Sequence, residues 1–247
     1  MTAGLLRRLL AEALGTGLLV TVVVGSGIAA QRLSPEDIGL QLLQNSITTV
    51  FGLTVLILVL GPVSGAHLNP VVSLADWVLG RRAGTGLPGR EVAPYVAAQV
   101  VGGLAGAVLA NAMFDVPTTA ATTVRTGAPL WLGEVVATAG LLLVILALVR
   151  SGRGAAVAPA VGAYIGAAYW FTSSTSFANP AVTVGRTVSD TFAGIAPASA
   201  PMFVLAQLVG AALGVGLART LYPDVALAAG DVVVPSTLPS QNEVRDA

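Results

Sequence analysis

Ser64-Gly65-Ala66-His67-Leu68-Asn69-Pro70-Val71-Val72-Ser73 decides the fold, because the chain carries the same pattern again as Ser174-Thr175-Ser176-Phe177-Ala178-Asn179-Pro180-Ala181-Val182-Thr183. Each copy opens a short apolar segment, near residues 69–79 and 179–189. A helix of that length rises about 16 Å, roughly half of a hydrocarbon core about 30 Å thick. Both segments can therefore enter a membrane without crossing it.

The flanking sequence repeats in the same order. Ala11-Glu12-Ala13-Leu14-Gly15-Thr16 returns as Gly133-Glu134-Val135-Val136-Ala137-Thr138, and Ala98-Gln99-Val100-Val101-Gly102 as Ala206-Gln207-Leu208-Val209-Gly210. Six longer apolar stretches, roughly 6–29, 39–60, 93–114, 131–149, 156–176 and 201–221, meet the length needed to span a bilayer. Each half, about 5–114 and 131–222, then holds three spans. An odd number inserts the second half upside down relative to the first. Paired short segments in an inverted repeat point to a solute path at the membrane midplane.

Composition agrees. The 247 residues are 55% hydrophobic and 10% charged, against about 25% charged in soluble domains, and the mean hydropathy is +0.83. A formal net charge of zero argues against a nucleic-acid partner. With no Cys, thiolate metal sites, disulfides and Cys nucleophiles are excluded. No acid–base pair, metal cluster or phosphate loop is present, so neither an enzyme nor a cofactor is expected. Arg7-Arg8 and the apolar run after it read as an uncleaved first span. With the N-terminus inside, Arg7, Arg8, Arg81, Arg82, Arg90, Arg150, Arg153, Arg219 and Arg245 fall on the cytoplasmic side. Arg32, Arg125 and Arg186 fall outside, which sets both termini in the cytoplasm. A polar tail is expected over 223–247, after a single channel domain over 1–222.

Asn-Pro has a physical meaning at a half-helix start. Pro fits the first helical position, where its missing N–H would be unpaired anyway. Asn caps the helix through its side-chain oxygen and leaves an amide NH2 as donor. Asn69-Pro70 and Asn179-Pro180, face to face, place two donors and two positive helix-dipole ends at the midplane. That combination accepts a solute oxygen and repels cations.

The motifs Ala11-Glu12-x-x-Gly15-Thr16, Ser64-Gly65-Ala66-His67-Leu68-Asn69-Pro70 and Phe177-Ala178-Asn179-Pro180-Ala181 resemble those of the aquaporin and glycerol-facilitator family, the major intrinsic proteins, over about residues 5–222. The resemblance implies an all-α membrane fold with six transmembrane helices and two re-entrant half-helices, one pore per subunit, and a homotetramer in the inner (plasma) membrane. The family usually places Ala where Val71 stands, and Arg where Val182 stands. Counting from the two Asn residues without gaps assigns the outer constriction to Thr49, Ala167, Ser176 and Val182. That set has no ring, cation or imidazole, and it leads to the expectation of a wide mouth passing glycerol-like polyols, with some water. The missing Arg resembles a bacterial branch linked to arsenic resistance, which adds undissociated arsenous acid. A mainly water-selective channel and a secondary transporter with broken helices are the alternatives.

Glu12 and Glu134 sit inside spans, where a carboxylate suggests a proton relay; their equivalence in the repeat favours accepting hydrogen bonds from the backbone that leads into each half-helix. His67 reads as support for its loop and lining for the inner pore. Arg186 reads as an outer-surface anchor. Tyr164, Tyr169, Trp170 and Phe171 read as packing or an interfacial belt.

Overall fold

The computed structural model describes residues 4–223, and the tail expected over 223–247 lies outside the described residues from 224 onward. Its helices are α1 (Leu5–Leu33), α2 (Ile38–Ser64), α3 (Pro70–Gly80), α4 (Gly89–Met113), α5 (Ala128–Arg150), α6 (Val157–Phe171), α7 (Pro180–Gly185) and α8 (Ala200–Leu221). Six of these, all but α3 and α7, are long and apolar enough to span a bilayer once a 3₁₀ turn over Gly154–Ala156 is counted with α6. No strand occurs among the described residues.

α1 packs chiefly on α4 and α2, α5 on α8 and α6, and α2 on α6 joins the two halves. The two main crossings are built alike. A Cβ on Gly102 or Gly106 of α4 would run into the carbonyls of Ala13 and Gly17 on α1. On α8 a Cβ on Gly210 or Gly214 would meet the carbonyls of Val135 and Ala139 on α5. These residues correspond under the same offsets that relate the sequence repeats. Lipid offers no hydrophobic drive to bring helices together, so close backbone approach supplies the dispersion contacts instead. Gly106→Leu is accordingly expected to destabilise the fold by roughly 1–3 kcal/mol through overpacking, seen as a lower thermal midpoint in detergent. Gly216→Leu is the control, because a Cβ there meets nothing within 4 Å.

Two boundaries differ from the sequence reading. α6 ends at Phe171 rather than reaching 176. Thr172 turns extended, and the hydroxyls here bond to backbone, locally from Thr172 Oγ1 to Ala168 O at 2.7 Å and from Ser176 N to Ser174 Oγ at 3.2 Å, and across to α5 from Ser173 Oγ to Pro129 O at 2.7 Å. Such residues offer the backbone an alternative to the helix ladder. The second half-helix is also shorter than 179–189: six α-helical residues, then a 3₁₀ turn over Arg186–Val188. A loop amide and an α4 side chain take up the carbonyls at its end, with Ala121 N on Thr187 O at 2.8 Å and Asn111 Nδ2 on Val188 O at 3.2 Å.

Candidate functional site

α3 and α7 meet at their N-termini. Asn69 Oδ1 accepts from Val71 N at 3.1 Å, and Asn179 Oδ1 accepts from Ala181 N at 3.0 Å and Val182 N at 3.2 Å. Each side-chain amide also crosses to the opposite loop: Asn69 Nδ2 donates to Ala178 O at 2.8 Å, and Asn179 Nδ2 to Leu68 O at 2.7 Å. The amides are therefore not wholly free, as the sequence reading had them. One N–H of each clasps the two half-helices together, and the other remains for the lumen.

The loops feeding the half-helices adopt an unusual backbone. Ala66 and Leu68 have φ of 44° and 48°, and their repeat partners Ser176 and Ala178 have 51° and 48°. Left-handed conformation at non-Gly residues costs on the order of 1–3 kcal/mol each and persists only where the surroundings impose it. Buried carboxylates impose it here. Glu12 accepts from His67 N at 3.0 Å, Leu68 N at 2.7 Å, Ser64 Oγ at 2.6 Å and Gln99 Nε2 at 2.7 Å. Glu134 accepts from Phe177 N at 2.9 Å, Ala178 N at 2.8 Å and Gln207 Nε2 at 2.6 Å.

A narrow cavity passes both Asn residues and the loops that lead into the two half-helices. Toward one end it is lined by Ala66, His67, Ile57 and Val157, and toward the other, the outer mouth of the sequence reading, by Thr49, Tyr169, Ser176, Phe177, Val182 and Arg186. Leu19, Val23, Leu53, Val161 and Ile165 are among the residues forming an apolar wall. An apolar wall opposite a few fixed polar groups lets a small solute pass without binding it tightly.

His67 is held from two sides. Its Nδ1 lies 3.1 Å from Ser73 Oγ, its Nε2 lies 3.7 Å from Asp76 Oδ2, and its ring centroid is 5.6 Å from that of Tyr95. Asp76 itself accepts from Leu87 N at 2.7 Å. The sequence reading missed Asp76, although a carboxylate inside a short apolar segment was a usable signal.

The outer mouth corrects the sequence reading in three places. Thr49, Ser176 and Val182 line the cavity, but Ala167 is exposed and turned away from it. The cavity face of α6 is Val157, Val161, Ile165 and Tyr169, spaced by four. Two residues of helix turn a side chain through about 200°, so a gapless count that stops at 167 lands on the opposite face from 169. Tyr169, read as packing, instead lines the cavity, with its hydroxyl 3.1 Å from Thr49 Oγ1. Arg186 is no surface anchor. It is 3% exposed, its guanidinium carbon lies 3.4 Å from the Phe177 ring centroid, and its Nε donates to Ala193 O. The mouth thus holds a ring and a cation, where the sequence predicted neither. Trp170 and Phe171 are exposed, and Tyr164 donates to Ala137 O at 3.1 Å.

The loops around the mouth are tied together. Arg125 Nε donates to Gly194 O at 2.9 Å, and Ser189 Oγ to Asn111 Oδ1 at 2.7 Å. Thr122 gives its N–H and hydroxyl to Asp190 Oδ1 at 2.8 and 2.9 Å, which holds the Asp190 carboxyl below its ordinary pKa.

Two half-helices capped by Asn-Pro, clasped across a continuous cavity inside six spanning helices, define a multi-pass membrane channel for small solutes. The chain belongs to the Major intrinsic protein family, whose profile matches residues 1–175 and 151–244. It is 52% identical over 218 residues to aquaglyceroporin AqpS of Rhizobium meliloti (strain 1021), covering 88% of this chain and 91% of that one. It is 31% identical over 259 aligned positions to the glycerol uptake facilitator protein of Pseudomonas aeruginosa, covering 89% and 90%. The X-ray structure of the aquaglyceroporin from Plasmodium falciparum has a similar fold, with a TM-score of 0.64 at 22% identity over 91% of this chain and all of that one.

Proposed function

We propose that the protein conducts glycerol-like polyols and undissociated arsenous acid, with some water, down their gradients. It does no chemistry on them. The observation that carries this reading is the cavity that passes both Asn69 and Asn179, where each amide keeps one N–H for a solute oxygen and each half-helix presents its positive end. Pro70 and Pro180 fix the first turn behind each Asn. The names of the relatives, an aquaglyceroporin and a glycerol uptake facilitator, support polyols. Within the same proposal, residues 1–222 form one channel domain in the inner (plasma) membrane, both termini are cytoplasmic on the Arg distribution, and the working unit is a homotetramer.

A mainly water-selective channel is the second reading, and Tyr169 and Arg186 in the mouth favour it, because both narrow the path. A transporter is disfavoured. Glu12 and Glu134, the carboxylates placed to couple an ion, have their oxygens committed to loop N–H groups and to Gln99 and Gln207.

Reconstituted in liposomes and followed by light scattering, the protein is expected to raise glycerol and arsenous acid permeability clearly above empty vesicles, with no need for a proton or sodium gradient. A rise confined to water would replace the proposal by the second reading. Dependence on an ion gradient would replace it by the transporter.

A further inference from the structure

Arg186 follows Val182 by four residues, so both lie on the cavity face of the second half-helix, about 6 Å apart along its axis. Its Cα is therefore one turn nearer the outside. The guanidinium stacks 3.4 Å from the centre of the Phe177 ring, and Phe177 directly follows Ser176, a residue of the outer constriction. The charge also lies within electrostatic reach of Arg125, whose guanidinium carbon is 5.3 Å from the same ring centroid, and of Tyr169, whose hydroxyl meets Thr49.

From this geometry we infer that Arg186 is the specificity-determining cation of the outer mouth, acting with Tyr169, Thr49 and Ser176 to set the size limit for solutes and to exclude cations. The inference rests on the cavity being the conduction path. The residue is preorganised for that role. Its planar fork is fixed by the Phe177 stack and by the Nε bond to Ala193 O. The Ala193 loop is itself held, by Arg125 on Gly194 O and Phe192 O at 2.9 and 3.3 Å and by Gln31 Oε1 on Phe192 N at 2.9 Å. Among the described residues, the terminal guanidinium nitrogens bond to nothing and neither ion pair includes Arg186. Its four remaining N–H groups are donors for the lone pairs of a passing solute.

A purely structural role explains less. Stapling the loop uses only Nε and the ring stack, and Arg125 already performs it from the other side. An unpaired buried guanidinium is expensive, and an apolar side chain on Phe177 would pack at lower cost.

The test compares wild type, Arg186→Leu and Arg186→Lys in liposomes, with glycerol, the longer polyol erythritol, and methylammonium as a cation smaller than either polyol. Arg186→Leu is expected to raise the erythritol-to-glycerol ratio and to increase methylammonium entry about tenfold or more, since it removes a charge close to the path. Arg186→Lys keeps the charge and loses the fork, so methylammonium stays excluded while the erythritol ratio rises. Unchanged ratios in a folded Arg186→Leu overturn the inference. So does loss of all fluxes together with a lower thermal midpoint in both variants, which would make Arg186 a staple. If Arg186→Leu does not fold, Arg186→Lys decides alone, and wild-type ratios in it overturn the inference. Failure of the wild type to conduct glycerol is a separate result and strikes the proposed function instead.

Discussion

Glu12→Leu is expected to cost at least about 3 kcal/mol of stability and to abolish solute flux, because it leaves several buried donors without an acceptor at once. The donors are His67 N, Leu68 N, Ser64 Oγ and Gln99 Nε2, all buried. Two of these are the backbone groups that hold Leu68 at a φ of 48°. Once released, the loop relaxes toward negative φ and carries Leu68 O with it, which is the acceptor for Asn179 Nδ2. The clasp between the half-helices opens from one side. Glu134→Leu acts on the mirror loop through Ala178 O, the acceptor for Asn69 Nδ2. Its effect should be somewhat smaller. Ser64 donates to Glu12, while its counterpart Ser174 has no such bond to Glu134 and lies 3.5 Å from Thr172 Oγ1 instead. Glu12→Gln keeps one acceptor oxygen and turns the other position into a donor facing Leu68 N–H, so it should fall between wild type and Leu. Thermal unfolding in detergent and glycerol flux in liposomes measure the series. A Glu12→Leu protein with wild-type midpoint and flux would remove the carboxylate from any role in shaping the pore.

The sequence carried the fold because its requirements are local and occur twice. Asn-Pro at the head of a short apolar segment has one physical use in a membrane, and a second copy in an odd-numbered repeat fixes the orientation of both. The Gly crossings are only partly legible: Gly102, Gly106, Gly210 and Gly214 stand at corresponding places and let carbonyls approach, whereas Gly216 in the same span faces nothing within 4 Å.

The outer mouth was not legible, for three separate reasons. Counting back from Asn179 assumed a fixed connection to α6, but hydroxyl side chains from Thr172 onward end the helix early, and a register error of two residues exchanges Ala167 for Tyr169. Arg186 was misjudged because the position of an Arg Cα says little about where its charge sits. The guanidinium lies over the Phe177 ring, among the residues that line the cavity. Asp76 was overlooked because one acid in an apolar segment shows no periodicity, and its partner Leu87 N lies in a loop beyond the helix.

Those corrections sharpen the consequence of Val182→Arg. On the sequence alone, Val182 left the mouth without a cation, and the substitution would simply have supplied one. With Arg186 already over Phe177, it adds a second guanidinium one turn further in, on the same face, into a position only 5% exposed. The new side chain must lie in the lumen, since Ala181 and Thr183 on either side are fully buried against neighbouring helices. Polyol and arsenous acid fluxes are expected to fall about tenfold or more, the effect of 1.4 kcal/mol on a barrier. Water flux should fall less, because a water needs less width than a polyol. Equal losses of water and glycerol would mean that position 182 does not select. The double variant Val182→Arg, Arg186→Leu separates bulk from charge: it moves the cation inward without adding a second. If the single variant fails through repulsion between two guanidinium groups, the double variant regains water flux and still rejects polyols. If the added bulk alone closes the path, the double variant stays closed to both.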